Sequence, residues 1–113
     1  MTVRLPSHLL VAALLRRVND AGGIGMVRAR GDDQAGAILV LTLERGADPG
    51  VFERGIGPQG KTVLMPCGPA GHSDPGEIDA YWRNRRARDP DLWVVELDIA
   101  SAERFAAETI LNG

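Results

Sequence analysis

The stretch Gly55-Ile56-Gly57-Pro58-Gln59-Gly60-Lys61-Thr62 fits the phosphate-loop pattern G-x-x-x-x-G-K-[ST] letter for letter. In that chemistry backbone amides and a helix N-terminus cradle the phosphates, the lysine reaches the β/γ oxygens, and the hydroxyl holds Mg²⁺. The geometry needs a strand before the loop and a helix directly after it. Here Thr62-Val63-Leu64-Met65-Pro66 starts on β-branched residues and is closed by proline, which favours a strand. A plain hairpin loop is therefore expected. Gly55, Gly60, Lys61 and Thr62 stand as ligand-binding candidates of an alternative reading only.

Three other constellations carry residue types capable of chemistry. Cys67 and His72 could pair as nucleophile and base with Asp74 orienting the histidine, but their spacing matches no specific arrangement and Asp74 is better used as a helix cap. Arg83, Arg85, Arg86 and Arg88, close behind Tyr81 and Trp82, could grip phosphates and stack on bases. Asp79, Asp89 and Asp91 neutralise much of that charge, and a solvated helix face with Trp82 in the core is the favoured reading. Arg28, Arg30, Glu44, Glu96 and Asp98 form a polar cluster if they share one sheet face, as a pocket for a small anion or peptide or, more commonly, as a cross-strand ion-pair ladder. His8 reads as a surface or capping residue, and no histidine–carboxylate set has metal-site spacing. No catalytic residue, metal or cofactor is expected.

The elements that must position these residues follow from periodicity and caps. A first helix is expected from Ser7 to about Val18, with Ser7 as its cap and Arg16-Arg17 at its negative end. It is apolar at every position from Leu9 to Leu15, so it should be covered on more than one side. Strands Ile24–Arg30 and Ala37–Glu44 read as a pair with Arg30 opposite Ile38, placing Val27 and Ala29 with Leu39, Leu41 and Leu43. Gly46–Gly50 reads as a turn, Val51–Arg54 as a short strand, and Thr62–Met65 as another. Asp74, Pro75 and Glu77 open a second helix that buries Ile78, Tyr81 and Trp82 and ends before Pro90 near Arg88. Leu92–Ile99, apolar on both faces at its start, is expected to be a central strand. Ser101 should cap a last helix striped with Ala102, Phe105, Ala106 and Thr109. The order is αββββαβα. That makes an α+β fold, a mainly antiparallel or mixed five-stranded sheet with helices packed on it and a three-layer arrangement open.

Composition narrows the function classes. The 113 residues, 44% hydrophobic and 25% charged, suit one domain with its own core, taken as residues 1–113. The single cysteine excludes an intramolecular disulfide and multi-cysteine zinc sites. A net charge of −2 argues against general nucleic-acid or anionic-membrane binding. The apolar run Leu9–Leu15 is followed at once by two arginines, with no small-residue cleavage site, so it reads as a buried helix rather than a leader or membrane span. A cytoplasmic location is expected. A homodimer with the first helix at or near the interface is also expected, with Leu10 or Leu14 as positions to test.

Two stretches carry a family resemblance. Leu9–Arg17, followed by a glycine-bounded strand, Gly31-Asp32 and Gly36-Ala37-Ile38-Leu39, is one. Arg88-Asp89-Pro90-Asp91-Leu92-Trp93-Val94-Val95-Glu96-Leu97-Asp98 is the other and the more specific. Together they resemble a small bacterial family, the domain of unknown function 1491 family, across nearly the whole chain, most weakly over residues 46–71. The resemblance implies a fold and a bacterial origin and brings no catalytic residues with it. The leading reading is a non-catalytic interaction or regulatory module, with an unidentified protein partner open. A nucleotide- or phosphate-ligand protein using residues 55–62 is the alternative, and RNA binding through the arginine-rich helix of residues 75–88 is third, nucleic acid not being expected as a partner. If the glycine loop is only a turn, millimolar ATP with Mg²⁺ leaves thermal unfolding unchanged. Binding at 100 times Kd would add about 2.7 kcal/mol, and a shift abolished by Lys61→Ala would promote the nucleotide reading.

Overall fold

Two stretches of the chain are apolar on successive residues, and they lie side by side in the sheet with helices above and below. The computed structural model describes residues 5–69 and 74–111. Its elements are α1 (Ser7–Asp20), β1 (Ile24–Ala29), β2 (Ile38–Glu44), β3 (Ala47–Ile56), β4 (Thr62–Pro66), α2 (Pro75–Arg88), β5 (Trp93–Asp98) and α3 (Ala102–Ile110). The expected αββββαβα order holds, and the sheet is mixed, ordered β1-β5-β2-β3-β4. β2 and β5 are parallel, and the other three pairings are antiparallel.

The pleat divides the core into two. Ile38 and Val40 of β2, with Trp93, Val95 and Leu97 of β5, face α1 and α3, where Leu10, Leu14, Val18, Ala106 and Ile110 cover them. Leu39 and Leu41, with Leu92 and Val94, face the other way and meet Ile78 and Trp82 of α2. Because both faces are covered, β5 needs apolar residues at consecutive positions, the pattern its sequence shows.

The expected β1–β2 pair is corrected. β5 lies between them, antiparallel to β1 and parallel to β2. The connecting loop crosses the start of β5 and is bound to it: Trp93 N–H donates to Ala37 O at 2.8 Å, Asp32 N–H to Asp91 O at 3.0 Å, and Trp93 Nε1–H to Asp32 O at 2.7 Å. Gly31 and Gly36 permit this, since a Cβ on either would overlap the Asp91 carbonyl oxygen. A strand buried on two faces gains more from an interior place than the exposed β1 does, and this preference separates the pair. Val27 and Ala29 consequently do not share a face. A bulge at Arg28 puts Val27 opposite Val95 and Ala29 opposite Val94.

Local expectations fare unevenly. Asp74 caps α2, accepting from the Glu77 N–H at 2.9 Å, and Pro75 opens the helix. Ser7 does not cap α1; buried in the first turn, it donates to Gly36 O at 2.6 Å, while the loop carbonyls Gln34 O and Asp33 O accept from the Ser7 and His8 N–H groups. Ser101 does not cap α3 with its side chain either. It takes a left-handed backbone (φ 57°) in the tight step from β5 to the helix. Residues 47–50, expected in a turn, belong to β3; the turn is Arg45-Gly46, both with positive φ, and a bulge in β3 falls where Asp48 also has positive φ. Tyr81 is half-buried rather than core. α1 is covered by the sheet and by α3, but Leu9, Ala12 and Arg16 face solvent.

The packing sets expectations for equilibrium unfolding in urea. Leu97→Ala removes a side chain that is 0% exposed and should cost about 2–5 kcal/mol. Ile24→Ala, on the exposed edge, should stay within about 0.5 kcal/mol of the parent. Gly36→Ala, at a buried position where a Cβ would overlap the Asp91 carbonyl oxygen, forces the loop away from Asp91 and should cost about 1–3 kcal/mol.

Candidate functional site

Residues 55–62 form the end of β3, a tight loop and the start of β4. Gly55 pairs with Val63 and Ile56 with Thr62, and Gly57 N–H donates to Lys61 O at 2.8 Å. Thr62 opens a strand, so no helix N-terminus follows the loop. Lys61 is exposed. A phosphate here would meet a β-turn rather than a ring of convergent amides.

The five residues considered as one polar cluster are distributed over separate places. Arg28 and Glu96 do meet, at 3.7 Å, on the α2 side of the sheet, where Arg28 also lies 6.0 Å from the Trp82 ring. Arg30 belongs elsewhere: it pairs with Asp33 at 2.9 Å and lies 5.3 Å from the ring of Trp93, whose side chain packs on the opposite sheet face. Asp98 serves the backbone, accepting from the N–H groups of Arg45 at 2.7 Å and Gly46 at 2.9 Å, and so holds the positive-φ turn between β2 and β3. Glu44, the last residue of β2, is exposed just before that turn. The interior position of β5 explains this scatter, because the clustering assumed a β1–β2 pairing.

The arginine-rich helix is more engaged than a solvated face would be. Arg83 stacks 4.6 Å from the Trp82 ring, Arg86 donates to Arg30 O, and Arg85 pairs with Glu53 at 2.8 Å. Trp82 is in the core as expected, its Nε1–H donating to Asp79.

Arg85 belongs to a network that sequence reading missed. Its guanidinium bridges Glu53 of β3 and the Tyr81 hydroxyl at 2.9 Å, and Tyr81 in turn lies beside the Cys67 thiol. Gly68 packs against the Tyr81 ring. The i, i+4 spacing of Tyr81 and Arg85 on one helix was a legible half of this arrangement; Glu53 comes from a distant strand. The Glu53 hydrogen bond holds the Arg85 guanidinium protonated well above the usual range. Burial pushes the Cys67 thiol up, against the lowering effect of its Tyr81 hydrogen bond, and burial pushes the Tyr81 phenol up as well. A thiol raised in this way is a poor nucleophile at neutral pH. The pairing of Cys67 with His72 lies outside the described residues. His8 Nδ1 bonds Asp33 O, a link between the start of α1 and the loop. Among the described residues no group of three His, Cys, Asp or Glu side chains is placed to hold a metal ion, and no helix is long and apolar enough to cross a membrane.

Residues 88–98 lead into and form β5, the strand that organises the sheet. A family model described as a protein of unknown function, DUF1491, matches residues 5–107. The chain belongs to the DUF1491 family. The crystal structure of a DUF1491 family protein from Caulobacter crescentus superposes with a TM-score of 0.77 at 31% identity, covering 89% of this chain and 94% of that one. An NMR structure of a DUF1491 family protein from the same organism gives 0.75 at 30% identity, covering 92% and 94%. The solution structure of a protein from A. tumefaciens gives 0.70 at 28% identity, covering 96% and 93%. No curated protein matches the chain.

The half-buried thiol makes a direct test of the network. Cys67 should react with a disulfide reagent at pH 7.5 at least tenfold more slowly than free cysteine, with Tyr81→Phe changing that rate. The signs of the raised pKa values also set a pH dependence. The folded state retains protons on Cys67 and Tyr81 that the unfolded chain has lost, so stability is full below the unfolded thiol pKa of about 8.5–9 and falls as pH rises through the folded values. Cys67→Ala should flatten this alkaline decline in urea titrations.

Proposed function

We propose that the chain is a non-catalytic interaction or regulatory module of a bacterial cytoplasm, acting as one domain and as a two-fold homodimer through its α1–β1 side. The observation that carries this reading is the distribution of exposed apolar side chains. Five of the seven large ones among the described residues, Leu5, Leu9, Ile24, Met26 and Val27, lie on β1 or at the start of α1, which packs on β1. β1 is also an edge strand, paired only with β5, so its outer side offers backbone groups to a second strand. Asn19 Oδ1 accepts from Gly25 N–H at one end of that edge, leaving the stretch around Val27 as the open part. A two-fold contact of one β1 on another places Val27 near the axis and brings like apolar residues together, the self-complementarity that an isologous interface needs.

The enzymatic and ligand alternatives have less support. The 55–62 hairpin presents no helix N-terminus to a phosphate, and the arginines of α2 are drawn into contacts with Glu53, the Arg30 carbonyl and Trp82. An unidentified protein partner on the α1–β1 side is compatible with the same surface.

Size-exclusion chromatography with light scattering tests the dimer at tens of micromolar protein. Twice the 12.1 kDa chain mass is expected. Leu9→Glu and Val27→Asp should each give a folded monomer. Leu10 and Leu14 are 1% and 0% exposed, so glutamate at either should unfold the chain, at a cost of roughly 3 kcal/mol or more. A parent protein of strictly monomeric mass would remove this reading.

A further inference from the structure

A cleft of about 470 Å³ opens at the far end of β2, between the bulged start of β3, the end of β4 and the first turn of α3. It is independent of the α1–β1 side. Volumes of this order suit a small organic ligand rather than a bound water or two. Phe52, Pro66, Ile99 and Ala102 supply apolar walls. Gly50 keeps the space open, since a Cβ there would stand 2.7 Å from Thr42 Oγ1 and 3.0 Å from the Phe52 ring.

Two independent features say what the cleft would hold. Its charged lining residues are Glu44, Asp48 and Glu103, with no basic side chain among the residues that line it. None of the three carboxylates has an ion pair or side-chain hydrogen bond among the described residues. Such a rim draws in a positive group and repels an anion. At depth, Thr42 is 8% exposed and lines the same cleft, yet its hydroxyl makes no hydrogen bond among the described residues. A hydroxyl that faces the cleft without a protein partner offers a ligand's polar group both a donor and an acceptor. Bare metal ions are a poor fit, because no three His, Cys, Asp or Glu side chains of the described residues converge.

We propose that this cleft binds a small aliphatic amine that carries a second polar group. The ammonium is drawn to the rim that carries Glu44, Asp48 and Glu103 without contacting all three, the carbon chain lies against Phe52 and Pro66, and the second group bonds the Thr42 hydroxyl. Charge at the rim supplies attraction and salt dependence, while the single hydroxyl selects for the polar far end.

Titration followed by amide NMR tests this with aminobutanol, whose amine and hydroxyl stand at opposite ends. Saturable shifts at Thr42, Gly50 and Ala102 are expected, weakening as salt is raised. Butylamine, lacking the hydroxyl, should bind about fivefold more weakly, the worth of one hydrogen bond. Thr42→Val should bring aminobutanol down to the butylamine level, leave butylamine unchanged and not lower Tm. Glu44→Gln with Asp48→Asn, both exposed and outside the core, should weaken both amines about tenfold. Hydroxybutyrate binding as tightly as aminobutanol would overturn the proposal, as would Ca²⁺ producing the same shifts. So would the absence of saturation by either amine in the tens of millimolar, or shifts that map outside the cleft.

Discussion

The fold depends on how one strand is seated. β5 is apolar at consecutive residues, so it must be covered on both faces and flanked on both edges, and it reaches that place by entering between β1 and β2. The entry is fixed at its first residues. The Asp91 carbonyl and the Trp93 amide take the backbone of the crossing loop, and the Trp93 indole bonds Asp32 O. That loop reaches back to α1 through Ser7 and His8. Helix, loop and buried strand are thus joined at one end of the sheet. The glycines there are used for close approach of backbone to backbone rather than for turning.

Much of this was legible from residues and some of it could not be. Consecutive apolar residues in 92–95 identify a strand covered on both faces, and Asp74-Pro75 marks the start of α2, because these signals are local. The β1–β2 pairing failed for a reason that is not local. Two strands joined by a short polar loop look like a hairpin, and only the burial demand of a third strand, far along the chain, separates them. The caps show the same division. Asp74 bonds within its own helix, whereas Ser7 is drawn away by Gly36, a partner found only through the tertiary fold. Among the candidate chemical residues, Arg28 and Glu96 meet because their strands pair, whereas Arg30 turns to Asp33 and Trp93, Asp98 holds a turn, and Glu44 stays exposed. The Glu53–Arg85–Tyr81–Cys67 network was half visible as a helix spacing and completed by a strand from the opposite part of the sequence.

Polar chemistry in this molecule is largely spent on its architecture. Asp98 holds a turn, Arg85 ties α2 to β3, and Arg17 links α1 to Glu108 and Thr109 of α3. Against that background the unpartnered carboxylates and the Thr42 hydroxyl around one cleft, and the apolar side chains around one edge strand, stand out as groups the fold itself does not use.

The seating of β5 also governs the order in which the molecule can assemble. Residues 38–66 form a local meander of β2, β3 and β4, in which each strand pairs with the next. β1 has no such neighbour. Its partner ends at Asp98, some seventy residues later, so β1 has no strand to pair with in this sheet until β5 has been made. The last strand of the sequence thus takes an interior place in the sheet rather than an added edge. The strand left at the edge of the finished sheet is also the one that waits longest for its partner.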